Sequence, residues 1–312
     1  MRLAVCILLA LHGAIHALGF VKAFGLLPLP QLRALAPAAW PAAALKPLGV
    51  LWLLVALTCL AAAAALALGS SAWWQLAAAG IAVSQGLICL AWGDAKAGTL
   101  VNLVLLVPVV IAAAEQRFDR ESARIVASLA SASQAASSDV VQHSELAALP
   151  APVAHWLESS GVVGKPRTAA VHLRQSGALR TSPGGAWLPA RAVQDFSIAE
   201  PGFVWQVRVR MAHVLPIVGR DSYVSGHGRM LIRLGGVVPL VDAADARIDQ
   251  GTLLRFLGEL VWFPAAALRE YVRWEPVDAH SARATLTYAG VSGSALFTFD
   301  DQGRVLRVEA KR

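Results

Sequence analysis

The chain has 312 residues, 56% of them hydrophobic, with a formal net charge of +7. Its mean hydropathy of +0.56 is too high for an ordinary soluble protein and favours a membrane class, while the length leaves room for about two domains. The basic residues alternate with Asp and Glu and form no run that would track a phosphate backbone, so nucleic acid is excluded as a partner.

Charge is unevenly placed. Before Glu115 the charged residues are only Arg2, Lys22, Arg33, Lys46, Asp94 and Lys96. Four apolar segments in this stretch approach the length a helix needs to cross a bilayer, about 20 residues. They run from Leu3 to Phe24, Leu48 to Leu68, Ala72 to Trp92 and Thr99 to Ala114. The first follows Arg2 as a signal peptide would, but "HALGFVKAFG" offers no small-residue cleavage site, so it reads as a retained helix. The short links "GSS" and "GDAKAG" force antiparallel neighbours and a four-helix membrane bundle. Arg117, Arg120 and Arg124 after the fourth span, with Arg2, balance Lys22, Arg33, Lys46 and Lys96 on the other side four against four, and the density of the cluster after the span tips the reading to cytoplasmic termini at a bacterial inner membrane.

Polar residues inside the spans are few. His12 and His16 in "LHGAIHALGF" lie four apart, on one helical face. They could serve a metal or haem site in a membrane redox protein, but with so few further ligands the pattern favours a pair of neutral imidazoles hydrogen-bonded within the bundle. Gln85 and Asn102 pose the same choice between helix–helix hydrogen bonds and a substrate. Cys6, Cys59 and Cys89 form no CxxC and read as small buried hydrophobes. No cofactor is implied.

A helical connector is expected over 117–143, broken by "AASSD", and a β-rich domain over 144–312. "SELAALPAPVAHWLESSGVVG" gives two short helical pieces around Pro150 and Pro152. After Gly164 the period changes to two. In "FVWQVRVRM" the residues Trp205, Val207, Val209 and Met211 alternate with Gln206, Arg208 and Arg210, giving one buried and one wet face. "VHLRQSGALR", "AVQDFSIA", "GRMLIRL", "ARATLTY", "ALFTFD" and "RVLRVEA" follow the same rule. "SPGG", "SGHG" and "DDQG" mark turns. An antiparallel sheet with one apolar face must cover it.

The cover is "IDQGTLLRFLGELVWFP", residues 248–264. At about 100° per residue, Leu253, Leu254, Phe256, Leu257, Leu260 and Val261 fill one side, and Arg255, Glu259 and Trp262 cluster on the other. Asp249 suits the N-cap and Pro264 the stop. The expected domain is thus α+β, a curved antiparallel sheet around one amphipathic helix. Arg255, Glu259 and Trp262 would guard an apolar interior lined by Trp205 and Phe263. The competing possibility is a plain core helix, with Arg255 and Glu259 an exposed i,i+4 pair worth less than about 0.5 kcal/mol. Asp221 with Tyr223, and Asp242 with Asp245, suit a site or solvated strand ends alike. No GxSxG, HExxH, P-loop or dinucleotide fingerprint is present.

Together "LALHGAIHALGFVKAFGL", "SQGLICLAWGDAKAGTLVNL", "LPAPVAHWLESSGVVG", "PGFVWQVRVRM", "IDQGTLLRFLGELVWFP" and "VRWEPVDAHSARATLT" resemble a bacterial family of membrane proteins, DUF6544 (also DUF6920). The resemblance implies an integral membrane protein with a β-rich tail; it brings no activity and no site residues. The expected sheet around a helix is also similar in pattern to lipoprotein carriers of the LolA and LppX type. The leading expectation is a domain that binds an apolar or lipid-like small molecule beside the lipid bilayer. A redox protein using His12 and His16, or a structural or regulatory protein with a protein partner, stands as the alternative.

Overall fold

The computed structural model describes residues 2–32, 35, 40–133, 139–180, 182–211 and 215–311; Arg33 and the connector residues 134–138 lie outside them. The chain divides into two compact units, Met1–Gln116 and Arg117–Arg312.

The first unit contains four helices long and apolar enough to cross a membrane: α1 (Arg2–Ala23), α2 (Ala42–Leu68), α3 (Trp73–Leu90) and the start of α5 (Ala97–Ser133), with one helical turn, α4 (Trp92–Ala95), between the last two. Leu9 of α1, Ala62 and Leu66 of α2, Ala77 and Ile81 of α3, and Leu105 and Val109 of α5 form one buried cluster. The "GDAKAG" link is therefore largely helical. The fourth span and the connector helix are also one element of 37 residues. No Gly or Pro falls between Val109 and Ser133 to end it, and Pro108 sits inside a hydrophobic helix, where such residues are tolerated.

The second unit holds two antiparallel meanders in place of a single sheet. β1 (Ala170–Leu179), β2 (Leu188–Ser197), β3 (Gly202–Met211), β4 (Leu215–Val224), β5 (His227–Leu234) and β6 (Val238–Ala243) make the first. β7 (Val272–Asp278), β8 (Ser281–Tyr288), β9 (Val291–Phe299) and β10 (Val305–Ala310) make the second. Pairing follows sequence order throughout. Ser225 and Gly226 link β4 to β5 with φ of 51° and 86°, a two-residue turn with both central φ positive, which matches the strand twist. α6 (Ala151–Ser159) begins after Pro150 and sends Trp156 into the core beside Phe297 and Phe299.

α7 (Ala246–Glu259) packs against β4 and β5 of the first sheet and β8, β9 and β10 of the second. Leu253, Leu254, Phe256 and Leu257 are buried at the heart of the core. Its N-cap is Asp245, which accepts from the amides of Arg247 and Ile248, so the helix begins one turn before Asp249. Asp249 instead accepts from the Gly228 amide at 2.6 Å, tying α7 to β5. Pro264 opens a further short helical segment, Pro264–Leu268, after the turn Leu260–Trp262.

β4 is covered on both faces. On the face away from α7, Val218 and Leu231 pack with Phe118. Arg220 stacks on the Phe118 ring at 5.2 Å and donates to the Ser122 hydroxyl at 3.0 Å. Arg208 pairs with Asp119. The helical stretch that follows the fourth span thus packs on the sheet through Phe118, Asp119 and Ser122. Every arginine of the six strands lies on this face: Arg174, Arg191, Arg208, Arg210, Arg220, Arg229 and Arg233, against Asp195 and Asp242. Alternation gathers onto one face cations that look scattered along the chain.

A Cβ added at Gly228 would stand 2.7 Å from the Ile248 carbonyl oxygen, which is backbone and has no room to give. Gly228→Ala is expected to push the first turn of α7 off β5 and to cost about 1–3 kcal/mol, read as a lower thermal midpoint for the detergent-solubilised chain.

Candidate functional site

Cross-strand register orders the α7-facing side of the first sheet into rows. One row runs Val171, Phe196, Phe203, Tyr223, Gly228; the next runs Leu173, Gln194, Trp205, Asp221, Met230; a third runs Gln175, Ala192, Val207, Gly219, Ile232. α7 crosses the strands along the first two. Ile248 and Thr252 sit over Gly228, Arg255 bonds Asp221, and Glu259 bonds Gln194. Strands of up to 10 residues extend past a helix about 10 Å across, which leaves the third row and those beyond it clear of α7, although Ala192, Val207 and Val209 there are buried in a small apolar cluster of their own.

Where helix meets sheet, a polar chain forms. The Trp205 indole Nε1 donates to Gln175 Oε1 at 2.8 Å, and Gln175 Nε2 donates to Gln194 Oε1 at 3.3 Å. Gln194 Nε2 donates to Glu259 Oε2 at 2.8 Å. Arg255 donates from Nε to Glu259 Oε1 at 3.0 Å and from Nη1 to Asp221 Oδ2 at 2.7 Å. Since an indole only donates, the orientation of both amides follows from it. The guanidinium also lies 4.9 Å from the ring centres of Phe203 and Trp205, a cation–π arrangement. Nη2 joins none of these bonds among the described residues.

Arg255 and Glu259 are therefore not an exposed pair. Their side chains are 21% and 15% exposed, and that of Asp221 is 9%. Asp221 is a buried mid-strand residue rather than a solvated strand end. Burial pushes the Glu259 carboxyl above its ordinary range, and the Arg255 and Gln194 bonds only partly oppose it. The cluster offers one fixed cation, two carboxylates and two amides.

Beyond it lies an apolar trough. Val207, Val209, Ile217, Ile232, Leu179 and Leu188 line a cavity of about 190 Å³ that ends on Trp205, Asp221 and Arg255. A second hollow of about 850 Å³ lies on the other side of Arg255, along Met230, Ile248, Gly251 and Thr252. The two share Asp221, Met230 and Arg255, so the guanidinium stands between them.

Of the sequence-derived candidates, Trp205, Arg255 and Glu259 come together here. Phe263 does not: it is 2% exposed and packs on Phe196 and Phe256 at 4.8 and 5.5 Å. Trp262 is 48% exposed with its edge toward Phe196 at 6.2 Å, one row away from the clamp. Gln175, Gln194 and Phe203 were not identified from sequence; their strand parity with Trp205 is the signal that finds them. His213 lies outside the described residues.

In the helical unit, His12, His16, Ser84 and Asn102 are all buried. His16 Nδ1 donates to the His12 carbonyl at 2.9 Å, which leaves Nε2 of the neutral ring to accept from the Ser84 hydroxyl at 2.9 Å. Ser84 Oγ then accepts from His12 Nε2 at 3.3 Å and Asn102 Nδ2 at 3.1 Å. Asn102 also donates to Gln85 Oε1 at 3.0 Å, and Gln85 to Thr99 Oγ1 at 3.1 Å. This chain ties α1, α3 and α5 together. Among the described residues no group of three or more His, Cys, Asp and Glu could hold a metal ion.

Two outcomes follow. Arg255→Met leaves Asp221 and Glu259 without their shared cation and is expected to cost about 3–5 kcal/mol. The folded variant, with the Glu259 carboxyl raised further, binds protons more readily than the unfolded chain, so its stability rises as pH falls. The gap in thermal midpoint to the parent chain should be smaller at pH 5 than at pH 8. Ser84→Ala removes the shared partner of both histidines and Asn102 and should cost about 0.6–2 kcal/mol, measured by thermal unfolding in detergent.

No curated protein and no solved structure matches the chain. One family model does, a family of unknown function, DUF6544, over residues 139–312, which takes in both sheets, α7 and the whole clamp. With more than half its length matched, the chain belongs to the DUF6544 family.

Proposed function

We propose that the β-rich domain is a binding module for an apolar or lipid-like molecule, held in the trough beyond α7 at the surface of the membrane. The observation that supports this most is the termination of a side-chain-lined apolar cavity on a charged clamp. Ligand sites are mostly apolar, with a few placed polar groups that fix orientation. The trough accepts a hydrocarbon chain along Val207, Val209 and Ile217, and the Arg255 guanidinium at its end offers a fixed cation to a polar head. Gly219 has no side chain to fill the floor between Val207 and Ile232.

The clamp is built for binding rather than for turnover. An arginine fixed by two carboxylates and flanked by two rings is positioned without mobility, which lowers the entropy lost when a ligand arrives. The helices of the first unit, long and apolar enough to cross a membrane, support the reading, since lipid beside them would be the source of such a ligand. The arginines at 117, 120 and 124, with Arg2, favour the cytoplasmic side for this domain.

Photo-crosslinking tests the reading. The full chain in lipid nanodiscs, given a diazirine-bearing fatty acid, is expected to be labelled on peptides spanning 205–219 and 230–232 as well as on its apolar helices. Ile217→Arg, which fills the trough, should abolish the first labelling and spare the second. Labelling confined to the apolar helices in the parent chain would sink the proposal.

A further inference from the structure

The first sheet has two unlike ends. At one end the strands are joined through Ser197–Gly202 and Val224–His227; these turns carry Glu200 and His227, and no large apolar side chain there is exposed among the described residues. The other end is formed where Leu179 meets Leu188, Met211 meets Leu215 and Leu234 meets Val238. Here Trp187 is 62% exposed, Val238 51% and Leu240 53%, with Leu179, Leu215 and Val237 also exposed. Register places these side chains at three neighbouring hairpin ends, so they form one rim. Exposed apolar patches of this kind mark interaction sites.

The rim also carries cations. Arg180 lies over the Trp187 ring at 4.9 Å, and Arg210, exposed, and Arg233, half-buried, stand near the ends of β3 and β5 on the arginine-rich face. We propose that this end of the sheet docks into the surface of an anionic bilayer, with Trp187 and the apolar rim entering the interface and the arginines meeting lipid phosphates. Charge complementarity selects this occupant. An apolar protein partner would be served by the rim alone, whereas a tryptophan stacked beneath an arginine presents an amphipathic ring and a phosphate donor together. Tryptophan favours the level of the headgroups, and arginine forks match phosphate oxygens in pairs. The proposal rests on exposure and register at the hairpin ends and stands whether or not the trough holds a ligand.

The test uses the full chain, with Cys6, Cys59 and Cys89 replaced by alanine, in nanodiscs of phosphatidylglycerol or phosphatidylcholine. A fluorophore is attached at Val237→Cys on the rim, or at His227→Cys on the opposite end as control. Nitroxide-labelled lipid is placed in the disc in one arm and in added vesicles in the other. Docking predicts loss of fluorescence at position 237 in at least one arm, little loss at 227, and weaker loss in phosphatidylcholine. Raising the salt from about 0.1 M to about 1 M, which shortens the screening length from roughly 10 Å to roughly 3 Å, should restore much of the signal. Arg180→Ala with Arg210→Ala, both exposed positions that leave the core intact, should restore it at low salt. Equal quenching at 237 and 227, quenching indifferent to headgroup charge, or none in either arm would overturn the proposal.

Discussion

Where α7 is enclosed between two sheets, from Thr252 to Glu259, it has little room to leave charges in water. Every polar group on α7 that faces the first sheet must find a partner there, and the Arg255 bonds to Asp221 and Glu259 meet that demand. Stripping water from a carboxylate or guanidinium is expensive, and only close, well-aligned partners offset it. The placement of the helix follows. With Arg255 bonded to a residue of β4 and Glu259 to one of β2, α7 lies across the strands on the rows that hold those partners. The uncovered stretch of sheet, and with it the trough, is a by-product of where the cation had to go.

The aromatic side chains around the clamp have a second role. Phe203 and Trp205 present ring faces to the guanidinium and so replace hydration with polarisable surface, while Phe256 and Phe263 close the core behind it. Tyr223 is wholly buried beside them, and burial drives its phenol to resist ionisation. The environment is one in which a single charged group without its partner would be felt across the domain.

How much of this was legible in the sequence depended on how many faces of each element are covered. β1, β2, β3, β5, β8, β9 and β10 announced themselves because apolar and polar residues alternate along them. β4 did not: Val218 and Arg220 are covered by α5, Asp221 and Tyr223 are buried on the α7 side, and alternation vanishes. Pro239 in β6 and Pro276 in β7 hid those strands, as proline does at sheet edges. The helix face bearing Arg255 and Glu259 was readable from 100° spacing, but its burial was not, since that required knowing that a second sheet lay behind it. Asp245 rather than Asp249 caps the helix because its side chain reaches two free amides, a choice between two aspartates that spacing alone leaves open. The single helix from Ala97 to Ser133 was legible in principle: nothing between Val109 and Ser133 breaks it.

Both sheets pair each strand only with its neighbours in sequence. Such local contacts cost little loop-closure entropy, so hairpins in each meander can zip early and quickly. α7 lies in the chain between the two meanders, and its apolar side, with Leu253 and Leu254 against Gly293 of β9, is sealed only once the second has formed. The first sheet, trough included, can therefore be complete while its covering helix is still held on one side alone. Closure of the core waits for the last strands to be made, and the C-terminal residues of the chain govern when the domain becomes a single cooperative unit.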